Sequence, residues 1–272
     1  MKLHDLGRLE GPVLAFGGPY SNLQALEALI ARAEALGIGA DRMICTGDVV
    51  AYCGDPKATV DLMRARGIVT IAGNVERQLG AGALDCGCGF ETGSACDLLS
   101  AGWYAHVNAA TGAETRRWMA DLPDVATFTQ AGRRFAVIHG GVTDISRFLW
   151  PVSPEAEFTP ELAVLTDLTG PIDAVISGHC GVAFMREVQG VHWINAGVIG
   201  MPPNDGTART EFAVLSDGRA ELLRLTYDAA AARTRMIDAG LTQGYHEALI
   251  TGFWPSEDVL PASMRRQSRA IG

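Results

Sequence analysis

The sequence predicts an α/β fold in which a two-sheet β-sandwich is flanked by helices. Three patterns carry that expectation. Near the N-terminus, short apolar runs with the composition of buried strands alternate with stretches of helical spacing. In the second half, strands recur with hairpin chemistry between them. Strand after strand also ends on a glycine-rich polar step, the place where α/β sheets gather their ligands.

Taken in order, Val13 to Phe16 reads as a buried strand that stops at Gly17-Gly18-Pro19. Asn22 is placed to cap a helix in which Leu23, Leu26, Leu29 and Ile30 recur at helical spacing. Met43 to Cys45 is a second buried strand, ending at Thr46-Gly47-Asp48. Pro56 opens another helix, with Val60, Leu62 and Met63 on its apolar face. Val69 to Ala72 is a third strand and ends in Gly73-Asn74. This alternation implies parallel strands joined by right-handed crossovers. Residues 80–96, rich in glycine and cysteine, form the least regular stretch and read as an insertion. A helix is expected from Thr111 to Leu122, stopped by Pro123, and strands follow near Val125 to Phe128 and Arg134 to Ile138. The second of these runs into His139-Gly140-Gly141. Val142 to Pro160 is expected to be rich in loop, and Ala174 to Ile176 is a strand leading to Gly178-His179. Further strands are expected at Phe184 to Val188, Trp193 to Ala196, Glu211 to Leu215 and Glu221 to Leu225, with Asp217-Gly218 as a hairpin turn between the last two. Helices from Ala229 to Ala239 and Tyr245 to Gly252 follow. No linker-like tract interrupts the sequence, so residues 1–272 are expected to form a single domain.

Hydrophobic residues make up 48% and charged residues 19%, a balance that supports a real core. The net charge of −9 leaves no basic stripe for a nucleic-acid polymer. A small phosphorylated ligand remains compatible, because a bound metal supplies positive charge locally. The opening MKLHDLGRLEGP has no apolar core of a signal peptide, and no apolar run reaches the length of a bilayer span. A cytoplasmic protein without a membrane partner is expected. In that compartment the six cysteines should be thiols, metal ligands or core residues and not disulfides.

The polar steps at the strand ends are FGGPYSN, TGDVVAYCG, AGNVE, IHGG and SGHCG. One glycine–histidine pair would carry little information. Five such steps in this order resemble the calcineurin-like metallophosphoesterases, whose steps read D-x-H-G-N, G-D-x-x-x-Y-G, G-N-H-D/E, H-G and G-H-x-H. The resemblance extends to WINAGVIG, to Asp205-Gly206 and Arg209, and to Gly244-Tyr245, Phe253-Trp254-Pro255 and Leu260-Pro261, which resemble the tail of a bacterial phosphodiesterase-like branch. It implies four layers, α/β/β/α, and a two-metal site with a bridging aspartate.

Carried over position by position, the resemblance implies that Asp48 is the bridging carboxylate and that Asn74, His139 and His179 complete the second metal's ligands. Two imidazoles, a carboxylate and an amide suit manganese, zinc or iron. The first metal's cage departs from the family pattern. Gly18 stands for its aspartate, Tyr20 for its histidine and Gly181 for the closing histidine, so one retained ion is expected. Val75 stands where the family has its catalytic histidine, and Glu76, which would orient that histidine, is expected to have nothing to orient. Asn74 and Tyr20 are the candidate catalytic residues, Tyr20 also as an iron(III) phenolate ligand. Cys86, Cys88 and Cys96, with Cys53 or Cys180, form a candidate thiol site for zinc or an iron–sulfur cluster. As individual residues, each of these has a plainer reading: strand-end polar groups bonded to one another, or packed reduced thiols.

Three functions stay open on the sequence. One is a metal-dependent phosphoester hydrolase acting on a nucleotide or phosphodiester with an altered centre. Another is an inactive phosphate- or nucleotide-binding or regulatory module. The last is a repurposed cysteine- and tyrosine-containing metal site.

Overall fold

A computed structural model describes residues 1–266. Two mixed sheets pack face to face. The first runs in the order β11-β10-β2-β3-β4, from Arg219–Leu225 (β11), Thr210–Ser216 (β10), Val13–Phe16 (β2), Met43–Cys45 (β3) and Val69–Thr70 (β4). The second runs β1-β5-β6-β7-β9-β8, from Leu3–Arg8 (β1), Val125–Gln130 (β5), Arg133–Val137 (β6), Ala174–Ser177 (β7), Val191–Asn195 (β9) and Phe184–Val188 (β8). β2, β3 and β4 are parallel, as the crossovers through α1 (Leu23–Ala35) and α2 (Pro56–Arg66) require.

Strand alternation separates the layers. Val13 and Ala15 join Ile44, Phe128, Phe135, Val137 and Ile176 in the layer between the sheets. Leu14 and Phe16, one residue out of phase, face the helices with Leu26, Leu29 and Met43. The outer face of the second sheet packs Val175 and Trp193 against Phe158, Leu162 and Leu165 of α6 (Glu155–Thr169). The layers are therefore helix, sheet, sheet, helix. At the end of the sandwich away from the parallel strands' carboxyl ends, the Arg133 guanidinium donates to the Gly218 carbonyl at 2.6 Å, tying one sheet's hairpin to the other's.

Several expectations are corrected. β1 is a strand paired in parallel with β5, although the N-terminus gave no strand signal. As an edge strand, it buries little and shows no apolar alternation. Ala95–Ala110 is a helix, α4, capped where the Ser94 hydroxyl accepts from the Asp97 amide at 3.2 Å. The supposed loop up to Pro160 gives way to α6 already at Glu155, with Pro160 inside the helix on an exposed face. The irregular stretch is confined to the segment between α3 (Asn74–Ala81) and α4. The remaining helices are α5 (Ala113–Asp121), α7 (Ala229–Asp238) and α8 (Tyr245–Thr251).

Candidate metal centre

Each candidate side chain leaves a strand end on a constrained turn. After β3, Gly47 has φ of 100° and Asp48 φ of 56°, a left-handed step that turns the carboxylate inward. Gly73 lies against it: a Cβ there would stand 2.2 Å from Asp48 Oδ1, so only glycine lets the loop after β4 approach. After β7, His179 has φ of 54°. The Asn195 amide, donating to the Gly178 carbonyl at 2.6 Å, braces that turn.

The four predicted ligands meet at one atom. His139 Nδ1 donates to the Thr46 carbonyl at 2.7 Å, which fixes the tautomer and leaves the Nε2 lone pair facing the site. That Nε2 lies 2.9 Å from Asn74 Oδ1, 2.9 Å from His179 Nδ1 and 3.3 Å from Asp48 Oδ2. All four residues are buried. Lone pairs at such distances repel unless a proton or a cation sits among them. His179 Nε2, on the ring's far side, is buried without a hydrogen-bond partner. Among the described residues, Asp48, His139 and His179 are the one group of three or more histidines, cysteines or carboxylates with ligand atoms within 4.8 Å. The donor set and its convergence thus fit a single divalent ion.

The electrostatics agree. Burial raises the Asp48 carboxyl, but the His139 and His179 imidazoles and the Val75 amide together outweigh burial and hold it below the usual range. Burial pulls His139 down, yet the Asp48 charge and hydrogen bond carry it above its usual value. His179 is lowered to about 3 by burial and by His139 beside it, which keeps it a neutral ligand.

Glu76 has no histidine to orient; its carboxylate instead accepts from the amides of Asp48 at 2.7 Å, Val49 at 2.9 Å and Gly73 at 2.9 Å. Burial and the Asp48 charge push it up to about 7, against those three bonds. Glu161 of α6 plays a similar part that the sequence did not reveal, accepting from the amides of Val142 at 2.5 Å and Thr143 at 2.9 Å beyond the His139 loop. The Thr46 carbonyl was equally hidden, since a main-chain acceptor leaves no mark in a sequence.

On the other side of Asp48 the chain differs. A Cβ at Gly18 would stand 2.3 Å from Cε1 of Tyr20, whose buried ring takes the space a side chain at position 18 would need. Tyr20 has φ of 52° and its amide donates to the Asp48 carbonyl at 3.2 Å, locking the first two loops together. Asn22 caps α1 as expected, accepting from the Ala25 amide at 3.1 Å.

The cysteines only partly converge. Cys86 and Cys88 form a disulfide, which corrects the expectation that none of the six cysteines would do so. Gly87 between them has φ of 59° and lets the two Cα atoms approach to 5.3 Å. Cys88 Sγ lies 3.5 Å from the Asn74 amide, which also donates to the Cys86 carbonyl at 2.8 Å. Cys88, Cys96 and Cys180 line a cavity together with Tyr20, Asp48 and His179. Cys53 faces the Gly200 carbonyl and does not reach that cavity's wall. The disulfide removes two of the five sulfurs from a thiolate site. The cavity is small, with a volume of about 60 Å³. Phe148, Trp254 and Val259, none of them singled out as ligand contacts, also line it. The Phe148 ring stands 4.4 Å from that of His179.

The two-sheet fold thus carries a candidate metal site at its strand-end loops. The sequence model of the calcineurin-like phosphoesterase superfamily domain matches residues 21–217, and the chain belongs to that family. An uncharacterized protein of Methanocaldococcus jannaschii is 23% identical over 253 residues, covering 86% of this chain and 95% of the relative. Among solved structures, a metallophosphoesterase from Sphaerobacter thermophilus superposes with a TM-score of 0.68 at 19% identity, covering 90% of this chain and 100% of that one. A hypothetical protein from Pyrococcus horikoshii superposes with a TM-score of 0.71 at 16% identity, covering 90% and 99%. These likenesses establish the shared fold.

Proposed function

We propose that the chain is a metal-dependent phosphoester hydrolase for a small phosphorylated molecule, with one ion held by Asp48, Asn74, His139 and His179. The convergence of three ligand atoms on His139 Nε2, itself the fourth, carries this reading. When bound, the ion acidifies water and polarises a phosphoryl oxygen. The chain's own groups do the rest. The Thr46 carbonyl holds His139 in one tautomer and orientation, and Asn74 directs Oδ1 inward because its amide hydrogens are held by the Cys86 carbonyl and Cys88 sulfur. The Tyr20 phenol lines the cavity beside Asp48 and stays protonated, so it can donate to a substrate oxygen. The first-metal side is degenerate in this reading, filled by the Tyr20 ring over Gly18.

A second reading, a phosphate-binding module without turnover, draws on Val75, an apolar residue where a proton donor would stand. The cysteine-based metal site lacks comparable support, given the Cys86–Cys88 bond. A cytoplasmic setting belongs to the proposal. It draws on the four free cysteines, Cys45, Cys53, Cys96 and Cys180, whereas the Cys86–Cys88 bond runs against it; no helix of the described residues is long and apolar enough to cross a membrane.

Metal analysis of protein purified without added metal, then reloaded with manganese, tests the proposal together with turnover of bis-p-nitrophenyl phosphate. About one ion per chain is expected. Asp48→Ala is expected to abolish both metal retention and turnover. Turnover that survives in Asp48→Ala would sink the reading, and metal retention without turnover would favour the binding module.

A further inference from the structure

The Cys86–Cys88 disulfide meets the metal centre through Asn74. Asn74 Nδ2 donates to the Cys86 carbonyl at 2.8 Å and to Cys88 Sγ at 3.5 Å. Its Oδ1, on the same side-chain carbon, lies 2.9 Å from His139 Nε2. An amide group is planar, so whatever holds the nitrogen also aims the oxygen.

The bond is what keeps the two acceptors in place. It closes a ring over Cys86, Gly87 and Cys88, in the segment between α3 and α4 that carries neither helix nor strand. Gly87 and Gly89 have φ of 59° and 72°. Glycine-rich backbone of this kind has wide freedom once a cross-link is removed. With the ring open, the Cys86 carbonyl and the Cys88 sulfur are no longer held at one spacing. The ring also touches the loop after His139, where the Ser146 hydroxyl donates to the Gly87 carbonyl. The sulfurs lie just beneath the surface. Cys86 and Cys88 are 5% and 7% exposed, but Asp85 and Gly89 beside them are exposed and Gly87 is half-buried. A local opening of this segment uncovers them without disturbing either sheet.

We infer that Cys86 and Cys88 form a thiol–disulfide exchange site for a dithiol reductant, and that the closed pair, by aiming Asn74, makes the metal centre hold its ion more tightly than the open pair does. This rests on the metal-centred reading above. In the exchange, a thiolate of the reductant attacks one cysteine sulfur, the S–S bond breaks, and the other sulfur leaves as a thiolate that takes up a proton. The reductant's second thiol loses its proton and displaces the first cysteine from the mixed disulfide, and that cysteine is protonated in turn. Two electrons pass to the pair, and the reductant closes its own disulfide. Partners that orient a metal ligand are worth about 10–100-fold in metal affinity, which sets the size of the effect.

The test compares the full chain in its disulfide form with the chain reduced by dithiothreitol, the reductant being removed before metal is added. Thiol titration in denaturant is expected to count four thiols in the first form and all six in the second. Calorimetric titration with manganese is expected to give a Kd about tenfold or more weaker for the reduced chain, and reoxidation is expected to restore it. Cys86→Ser combined with Cys88→Ser is expected to show the weak affinity whatever the treatment. Asn74→Asp keeps an oxygen ligand and loses both N–H donors, so its manganese affinity is expected to be the same with the bond closed or open; it decides the matter should the serine variant misfold. Equal manganese affinity in the two forms of the parent, a bond that dithiothreitol leaves closed in the folded chain, or a response that persists in Asn74→Asp would each overturn the assignment. Manganese binding in neither form defeats the metal-centred reading itself, whereas tight binding indifferent to the bond defeats only the exchange site.

Discussion

Gly18 and Tyr20 act as a pair. The ring of one lies where the side chain of the other would project, so a carboxylate at position 18 and a phenol at position 20 exclude each other in this backbone. Gly18→Asp alone is expected to destabilise the protein by about 1–3 kcal/mol through overpacking and to gain no second ion. Combined with Tyr20→His, the same substitution is expected to recover stability and to raise the metal content above that of the parent. Thermal denaturation and metal analysis of both variants check this, and a second ion in Gly18→Asp alone would contradict it. At this scale the sequence was informative where function sits on side chains. Asp48, Asn74, His139 and His179 each follow a strand in a spaced motif, and the structure brings them together. Partners that act through the main chain, such as the Thr46 carbonyl, carry no side-chain signature.

Elements are aimed by buried carboxylates. Glu76 joins the first turn of α3 to the turn after β3 through three backbone amides. Removing it leaves those donors unsatisfied in the core, and each such loss costs about 1 kcal/mol or more. Glu76→Ala is expected to cost about 3 kcal/mol and to lower Tm by roughly 6–12 °C. A drop under about 2 °C would show that the brace is dispensable. The capping pattern of a glutamate three residues after Gly73 was readable, but its reach across to Asp48 depends on tertiary contact. Strands and helices with clear periodicity, β2, β3, α1 and β10–β11 among them, were legible. β1 was hidden because an edge strand needs no apolar alternation, and α6 because its proline lies inside the helix on the solvent side. In α4 the signal existed: Cys96, Ser100, Trp103, Tyr104 and Val107 form one buried helical face. The glycine-rich stretch before it masked the start.

For the whole molecule, the buried charges set a pH dependence. Asp48 is lowered from 3.8, so its contribution is present above that value and is lost as pH falls through the lowered one. His139 is raised from 6.5, so its contribution is full below 6.5 and is lost as pH rises through the raised value. Glu76, raised to about 7 from 4.5, likewise gives up its contribution between those values. The metal-free chain is therefore expected to be most stable in acid solution and to weaken progressively as pH rises from about 4.5 through about 7. A cation competes with the proton on His139 Nε2, so the rise in Tm on adding manganese should be larger at pH 8 than at pH 6. Thermal shift measurements at the two pH values decide the point; a rise that shrinks with pH would exclude His139 as a ligand.

The Arg133–Gly218 hydrogen bond adds a mechanical consequence. It fastens the two sheets at one end, whereas Asp48 and Asn74 from one sheet meet His139 and His179 from the other at the opposite end. An ion held there would join the two sheets at the end opposite the Arg133–Gly218 contact, so its loading is expected to raise Tm more than a ligand touching one sheet alone.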